Sequence, residues 1–246
     1  MRKKSALIRA AVLILVICVV SLCTGCGDNE KSKFKEINDA MTAFSNLEGG
    51  TLTETFVGNE TTTYPSVDKV ENVVDDIRST VVYNKIGGKK YDYSEYTYSY
   101  SPDGSCVFSG LRQKDGVKYT CEDDRVQTNE ELWKKIEDAG GHYSIHPSIE
   151  YMMYLPSEEF IAEDFEVTTE GDLTRYTLKM NEKFNEAIAK NNSSDATYTT
   201  QKRVMSYWID SEGLIVKHSN EIIDRLETPG KVRERNIVKT IELTSH

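Results

Sequence analysis

Three groups of residues have the types and spacing to do chemistry. His142, His146 and Glu150 are each four residues apart. On a continuous helix they would align and offer two imidazoles and a carboxylate to a metal ion. Pro147 interrupts that helix, because its ring meets the carbonyl of Tyr143 and removes a hydrogen bond, so the two histidines read as loop residues and no metal site is expected. Cys106 and Cys121 form the second group, on opposite arms of a hairpin. They can form a disulfide if the loop is centred between Gln113 and Lys114, whereas a tight turn on Asp115-Gly116 would misalign them and leave free thiols. The third is Cys26, which directly follows the small residues Thr24 and Gly25. The chain has no Gly-x-Ser-x-Gly, no phosphate-binding glycine loop, no His-Glu-x-x-His and, after Cys26, no Cys-x-x-Cys. No catalytic residues and no cofactor are therefore expected, and the chain reads as non-enzymatic.

Cys26 gains its meaning from the segment before it. Arg2, Lys3, Lys4 and Arg9 precede an apolar run from Ala10 to Val20, and small residues follow. This is the three-part order of an export signal, and the run is shorter than the roughly 20 residues that span a bilayer. Leu22-Cys23-Thr24-Gly25-Cys26 resembles the lipobox of bacterial lipoproteins, with Cys23 standing where that family carries Leu, Val or Ile. The resemblance implies cleavage between Gly25 and Cys26 and a diacylglyceryl group on the Cys26 thiol. Cleavage before Cys23 would instead place the bulky Leu22 at the cut. Two acyl chains, at about 0.8 kcal/mol per buried methylene, hold a protein on a membrane almost permanently. Residues 1–25 thus read as a signal peptide, and 26–32 as the lipidated cysteine with a short polar linker. Residues 33–246 read as one domain on the extracytoplasmic face of the cell membrane.

Charge narrows the partners. Of the 246 residues, 30 are Lys or Arg and 40 are Asp or Glu, for a net charge of -10. Residues 1–25 carry four of the basic groups and none of the acidic ones, so the exported part is more acidic still. Such a surface is repelled by phosphate backbones and anionic head groups, which excludes nucleic acid and leaves the lipid anchor as the expected membrane contact. No protein partner can be named from these residues.

The elements that position these groups follow from periodicity. Phe34, Ile37, Met41, Phe44 and Leu47 recur at helical spacing before a Gly49-Gly50 stop, so an amphipathic helix opens the domain. Thr51–Thr63 and Asp76–Asn84 read as strands. In Tyr91–Tyr100 the tyrosines at 91 and 93 have one parity and those at 96, 98 and 100 the other, and a bulge near Ser94 would put all five on one face. Such a face could stack on a sugar, but ordinary sheet core accounts for it better. A hairpin turns at Lys114-Asp-Gly. Glu130–Ala139 and Pro147–Leu155 read as short helices, Phe165–Met180 as a hairpin, and Asn181–Asn191 as a helix burying Phe184 and Ile188. The last third is a meander, 197–210, 214–226 and 232–243.

This pattern predicts an α+β domain in which a curved antiparallel sheet, an open half-barrel, wraps the N-terminal helix and a helical insertion. At this level the chain resembles the LolA-like lipoprotein carriers. The likeness rests on the opening Phe34-Lys-Glu-Ile-Asn-Asp-Ala-Met and on Tyr207-Trp-Ile-Asp-Ser-Glu-Gly-Leu-Ile-Val-Lys, which is similar to their late hairpin. The resemblance implies a hydrophobic cavity for a lipid or other apolar ligand. Trp133, Tyr151, Met152, Met153 and Tyr154 are the residues to line it, or else to form plain core. The alternative function is an envelope lipoprotein with a solid core, which binds other proteins and holds no ligand.

Overall fold

The computed structural model describes residues 30–87, 90–137, 145–162, 165–192 and 196–246. Helix α1, Glu30–Ser45, buries Ile37, Ala40, Met41 and Phe44, the stripe expected from their spacing. It begins inside the stretch expected to be linker. The chain leaves the helix through bonds from the Asn46 and Leu47 amides to the carbonyls of Ala43 and Phe44, then enters the first strand at Gly49.

Eleven strands follow: β1 Gly49–Tyr64, β2 Lys69–Gly87, β3 Lys90–Tyr100, β4 Cys106–Lys114, β5 Val117–Cys121, β6 Lys134–Lys135, β7 Glu166–Glu170, β8 Leu173–Lys179, β9 Thr197–Ile209, β10 Ile215–Thr228 and β11 Lys231–Ser245. Between them lie α2, Pro147–Met152, and α3, Glu182–Asn192. All strands pair antiparallel in one sheet, in the order β6-β5-β4-β3-β2-β1-β11-β10-β9-β8-β7. Two meanders thus run outward from the β1·β11 pair. Among the described residues the outer strands β6 and β7 each pair on one side only, so the sheet is open. The α+β expectation holds in this form: a large antiparallel sheet with few helices.

The sheet bends around its helices. Glu36 meets Tyr176 of β8 and Phe44 meets Tyr83 of β2. These helix residues are about 12 Å apart along the axis, whereas β8 and β2, five places apart in the order, would be about 24 Å apart if flat. Curvature and side-chain reach make up the difference. On the inner face α1 and α2 form one continuous core with Leu52, Val81, Tyr83, Tyr93, Leu178, Met205, Tyr207, Ile215 and Ile241. A satellite cluster of Phe184, Ile188, Tyr198 and Leu226 lies under α3.

Three local expectations are corrected. The β2·β3 register runs unbroken through Ser94, with its only shift at Lys85/Gly87. Plain alternation therefore sends Tyr91 and Tyr93 into the core, and Tyr96, Tyr98 and Tyr100 to the convex face. The segment read as a helix from Glu130 instead makes one 3-10 turn, Glu130–Leu132, and then strand β6 against Tyr119 and Thr120. Pairing with an existing sheet edge has overridden a helical spacing of apolar residues. Finally, Asp115 and Gly116 form a two-residue turn with φ of 52° and 76°. That tight turn sets Cys121 opposite Gly110, while Cys106 lies opposite Tyr100. The expected disulfide is not made: Cys106 is an exposed thiol and Cys121 a buried one.

Candidate ligand face on the inner side of the sheet

Strand registers lay out the inner face row by row. One row runs Thr97, Ser79, Glu54, Ile241, His218, Tyr207, Tyr176, and the next runs Ser99, Ile77, Phe56, Lys239, Asn220, Met205, Leu178. An inner face stabilised by apolar burial alone would not carry Glu54, Lys239, His218 and Asn220 at these positions. Their surroundings show how the charges are held. Lys239 Nζ lies 3.1 Å from Glu54 Oε1 and 4.1 Å from the centre of the Tyr151 ring. The Ser148 hydroxyl, on α2, donates to the other oxygen of Glu54.

His218 is fully buried between the rings of Tyr151, at 6.1 Å, and Tyr207, at 4.9 Å. Among the described residues neither of its ring nitrogens has a hydrogen-bond partner, and Asn220 Oδ1 two positions along β10 has none either. Burial, reinforced by the Lys239 charge, pushes the His218 pKa down to about 3, so the ring is neutral at pH 7. Burial and the nearby Glu54 charge likewise push the Tyr151 hydroxyl up to about 12. The Tyr207 hydroxyl donates to the Tyr154 carbonyl at 2.5 Å.

His146 caps α2. Its Nδ1 accepts the Ser148 amide at 3.1 Å, and its Nε2 lies 3.1 Å from Glu95 on β3. Burial works to raise the Glu95 carboxyl, but the hydrogen bond from His146 works against it, and that pKa lies below its ordinary value. The Ser148 hydroxyl faces Glu54 rather than the imidazole, so serine and histidine are not in a proton relay. This arrangement can donate and accept hydrogen bonds in a dry setting.

Further along the trough the Asp224 carboxylate is paired, while the buried Nε atoms of Arg203 and Arg233 have no partner among the described residues. Asp224 accepts from Arg235 Nε at 2.8 Å and from the Tyr198 hydroxyl at 2.6 Å. Burial opposes the Asp224 charge, but Arg235 outweighs it and lowers the pKa. Over β1 to β4 the inner face is less covered: Phe56, Ile77 and Ser99 are half-buried, and Val107 is 65% exposed.

The sequence-predicted residues divide among these places. Tyr151 and Met152 are buried in the continuous core, with Met153 and Tyr154 packed against it. Trp133 is not among them. It lies on the convex face over Gly110, where an added Cβ would come within 3.0 Å of the indole, and Arg112 covers its ring at 4.4 Å. That arginine also pairs with Glu130, and a convex cluster of Tyr96, Tyr98 and Phe108 adjoins it. Cations lie over the rings of Trp133 and Tyr100. Gly25, Cys26 and His142 lie outside the described residues. Glu150 is exposed on α2. A shallow depression of about 250 Å³ sits on the convex side, where Gln201 bulges from β9, and is lined by exposed polar side chains such as Asn59, Arg225 and Asn236.

Sequence reasoning missed His218, Asn220, Glu54 and Lys239. The available signal was the parity of β10, on which His218, Asn220 and Asp224 alternate in step with the apolar Ile222 and Leu226.

No family model and no curated protein matches this chain. Among solved structures it is similar to Rv2717c from M. tuberculosis at 14% identity, covering 83% of this chain and 97% of that one, with a TM-score of 0.24. It is also similar to the ywiB protein from Bacillus subtilis at 10% identity, covering 82% and 97%, with a TM-score of 0.20. Similarity at this level does not bear on function. Among the described residues no helix is long and apolar enough to cross a membrane, and no group of three or more His, Cys, Asp or Glu could hold a metal ion.

Proposed function

We propose that this chain is an exported lipoprotein, anchored to the extracytoplasmic face of the cell membrane through diacylglycerol on Cys26, and that its domain binds a lipid or other apolar ligand on the concave face of a LolA-like half-barrel. The observation that carries the ligand reading is the inner face itself, which continues past the helices that fill it. Phe56 and Ile77 are only half-buried there and Val107 is exposed, on the same face as the His218 nitrogens and the Asn220 Oδ1 that have no partner among the described residues. Apolar side chains would take an acyl chain, and neutral donors and acceptors would take its uncharged polar end.

The test is lipid carried through purification. Wild type and Val74→Glu, which changes the convex face, are expected to retain non-covalent lipid by mass spectrometry, while Ile77→Glu in the trough loses it. A wild-type protein that is acylated on Cys26 yet carries no other lipid sinks the carrier reading. It would favour the second reading, a lipoprotein that docks on envelope proteins, for which the burial of Tyr151 and Met152 in unbroken core is the supporting observation.

A further inference from the structure

The place where α1 begins limits how the domain can sit on its membrane. Only residues 27–29 separate Cys26 from Glu30, the first residue of α1. Four peptide units reach at most about 14 Å even when fully extended. The start of α1 is at the β7 side of the sheet. The Phe34 ring packs edge-on against Phe165 at 5.1 Å, Phe165 leads directly into β7, and Glu36 bonds the Tyr176 hydroxyl of β8. The opposite edge, β6, lies ten strand spacings away along the sheet, about 48 Å of contour. A tether of about 14 Å holds the bilayer near the strands that the start of α1 packs against, β7 and β8.

We infer that the β7 edge, rather than the β6 edge, is the face held against the head groups of the anchoring bilayer. The inference rests on the proposed acylation of Cys26 and adds an orientation to it. β7 suits a surface that touches head groups without entering the acyl region. All five of its residues are exposed and its outer edge is unpaired, while Glu166 and Glu170 at its two ends oppose insertion. The strip formed by Phe56, Ile77 and Val107 belongs to β1, β2 and β4, from five to eight places along the order from β7.

The chain's two tryptophans lie toward opposite edges of the sheet and report on this orientation. Trp208 donates to Glu170 of β7 at 2.7 Å, whereas Trp133 immediately precedes β6. The experiment uses acylated full-length protein purified from membranes and reconstituted into phosphatidylcholine vesicles containing a lipid spin-labelled on its head group. Trp133→Phe leaves Trp208 as reporter, and Trp208→Phe leaves Trp133. Quenching at least twofold stronger for Trp208 than for Trp133 is the expected result, and both weaken when the nitroxide is moved deep into the acyl chain. Equal quenching, stronger quenching of Trp133, or none at either site overturns the orientation, provided intact mass shows diacylglycerol on Cys26. If the mass shows no acyl group, the anchor reading itself has failed and the orientation falls with it. Should either tryptophan variant fold poorly, a nitroxide-sensitive fluorophore on the native Cys106 and one on Val167→Cys in a Cys106→Ser background make the same comparison.

Discussion

Replacing His218 with Leu should make the protein less sensitive to mild acid. In the folded chain this imidazole is fully buried and its pKa is pushed down to about 3, against 6.5 for the free side chain. Below pH 6.5 the unfolded chain takes up a proton here that the folded chain refuses. The stabilisation from keeping the ring neutral is therefore complete above 6.5 and is lost as pH falls toward the folded value. The slope is about 1.4 kcal/mol per pH unit, so the native state loses about 2 kcal/mol between pH 6.5 and 5 through this residue alone. That figure holds for any folded pKa below 5. His218→Leu removes the loss and also removes two unpaired buried nitrogens, so at pH 7 the variant should be equal to wild type or more stable by about 1–3 kcal/mol. Urea unfolding followed by circular dichroism at pH 7, 6 and 5, on both proteins, measures the difference directly, and His146 is common to both. Parallel loss of stability in the two proteins would refute a buried, neutral His218.

The other predictions concern the core, the closed ion pair, the convex indole and the thiols. Phe44→Ala, which empties the contact between α1 and Tyr83, should cost about 3–5 kcal/mol in the same unfolding assay, and a loss below 1 would contradict the helix packing. Asp224→Ala strands the buried Arg235 guanidinium and should cost about 3–5 kcal/mol. A charge-free replacement of both residues should recover most of that stability. Gly110→Ala pushes on the Trp133 indole and should cost about 1–3 kcal/mol with a shift in tryptophan emission, while unchanged emission would place Trp133 elsewhere. Thiol titration of the non-reduced protein, with Cys26 acylated, should find one reactive group when folded, Cys106, and two in denaturant. Finding none in denaturant would restore the disulfide.

Where the sequence could be read and where it could not follows from the range of the forces involved. The α1 stripe, the two-residue turn and the final meander are local patterns, and residues from Phe34 to Phe44 and from Thr197 to Ser245 fold as their own spacing dictates. The tyrosines of β3 follow simple alternation, and only the addition of a bulge moved Tyr96, Tyr98 and Tyr100 to the wrong face. Trp133 was misplaced for a different reason. Leu132, Trp133 and Ile136 have helical spacing, but the free edge of β5 offers backbone pairing to Lys134 and Lys135 that no local pattern reveals. The surroundings of His218 lie further out of reach, since Tyr207, Ile241 and Tyr151 come to it from two neighbouring strands and a helix.

Strand β10 carries two buried polar groups that behave differently, and the contrast bears on function. Asp224 is closed: a guanidinium and a phenol donate to it, and the ensemble can be kept for the fold alone. His218 and Asn220, on the same face of the same strand, are open, with three buried atoms that find no partner among the described residues. Each such atom costs about 1–3 kcal/mol, and an apolar residue at either position would avoid that cost. Ile222 beside them shows that the strand accepts one. Stability therefore explains the Asp224 network but not the His218 pair. A group from outside the chain that brings its own donor and acceptor would explain the pair, and the half-buried Phe56 and Ile77 with the exposed Val107 would give the apolar remainder of such a ligand a place to lie.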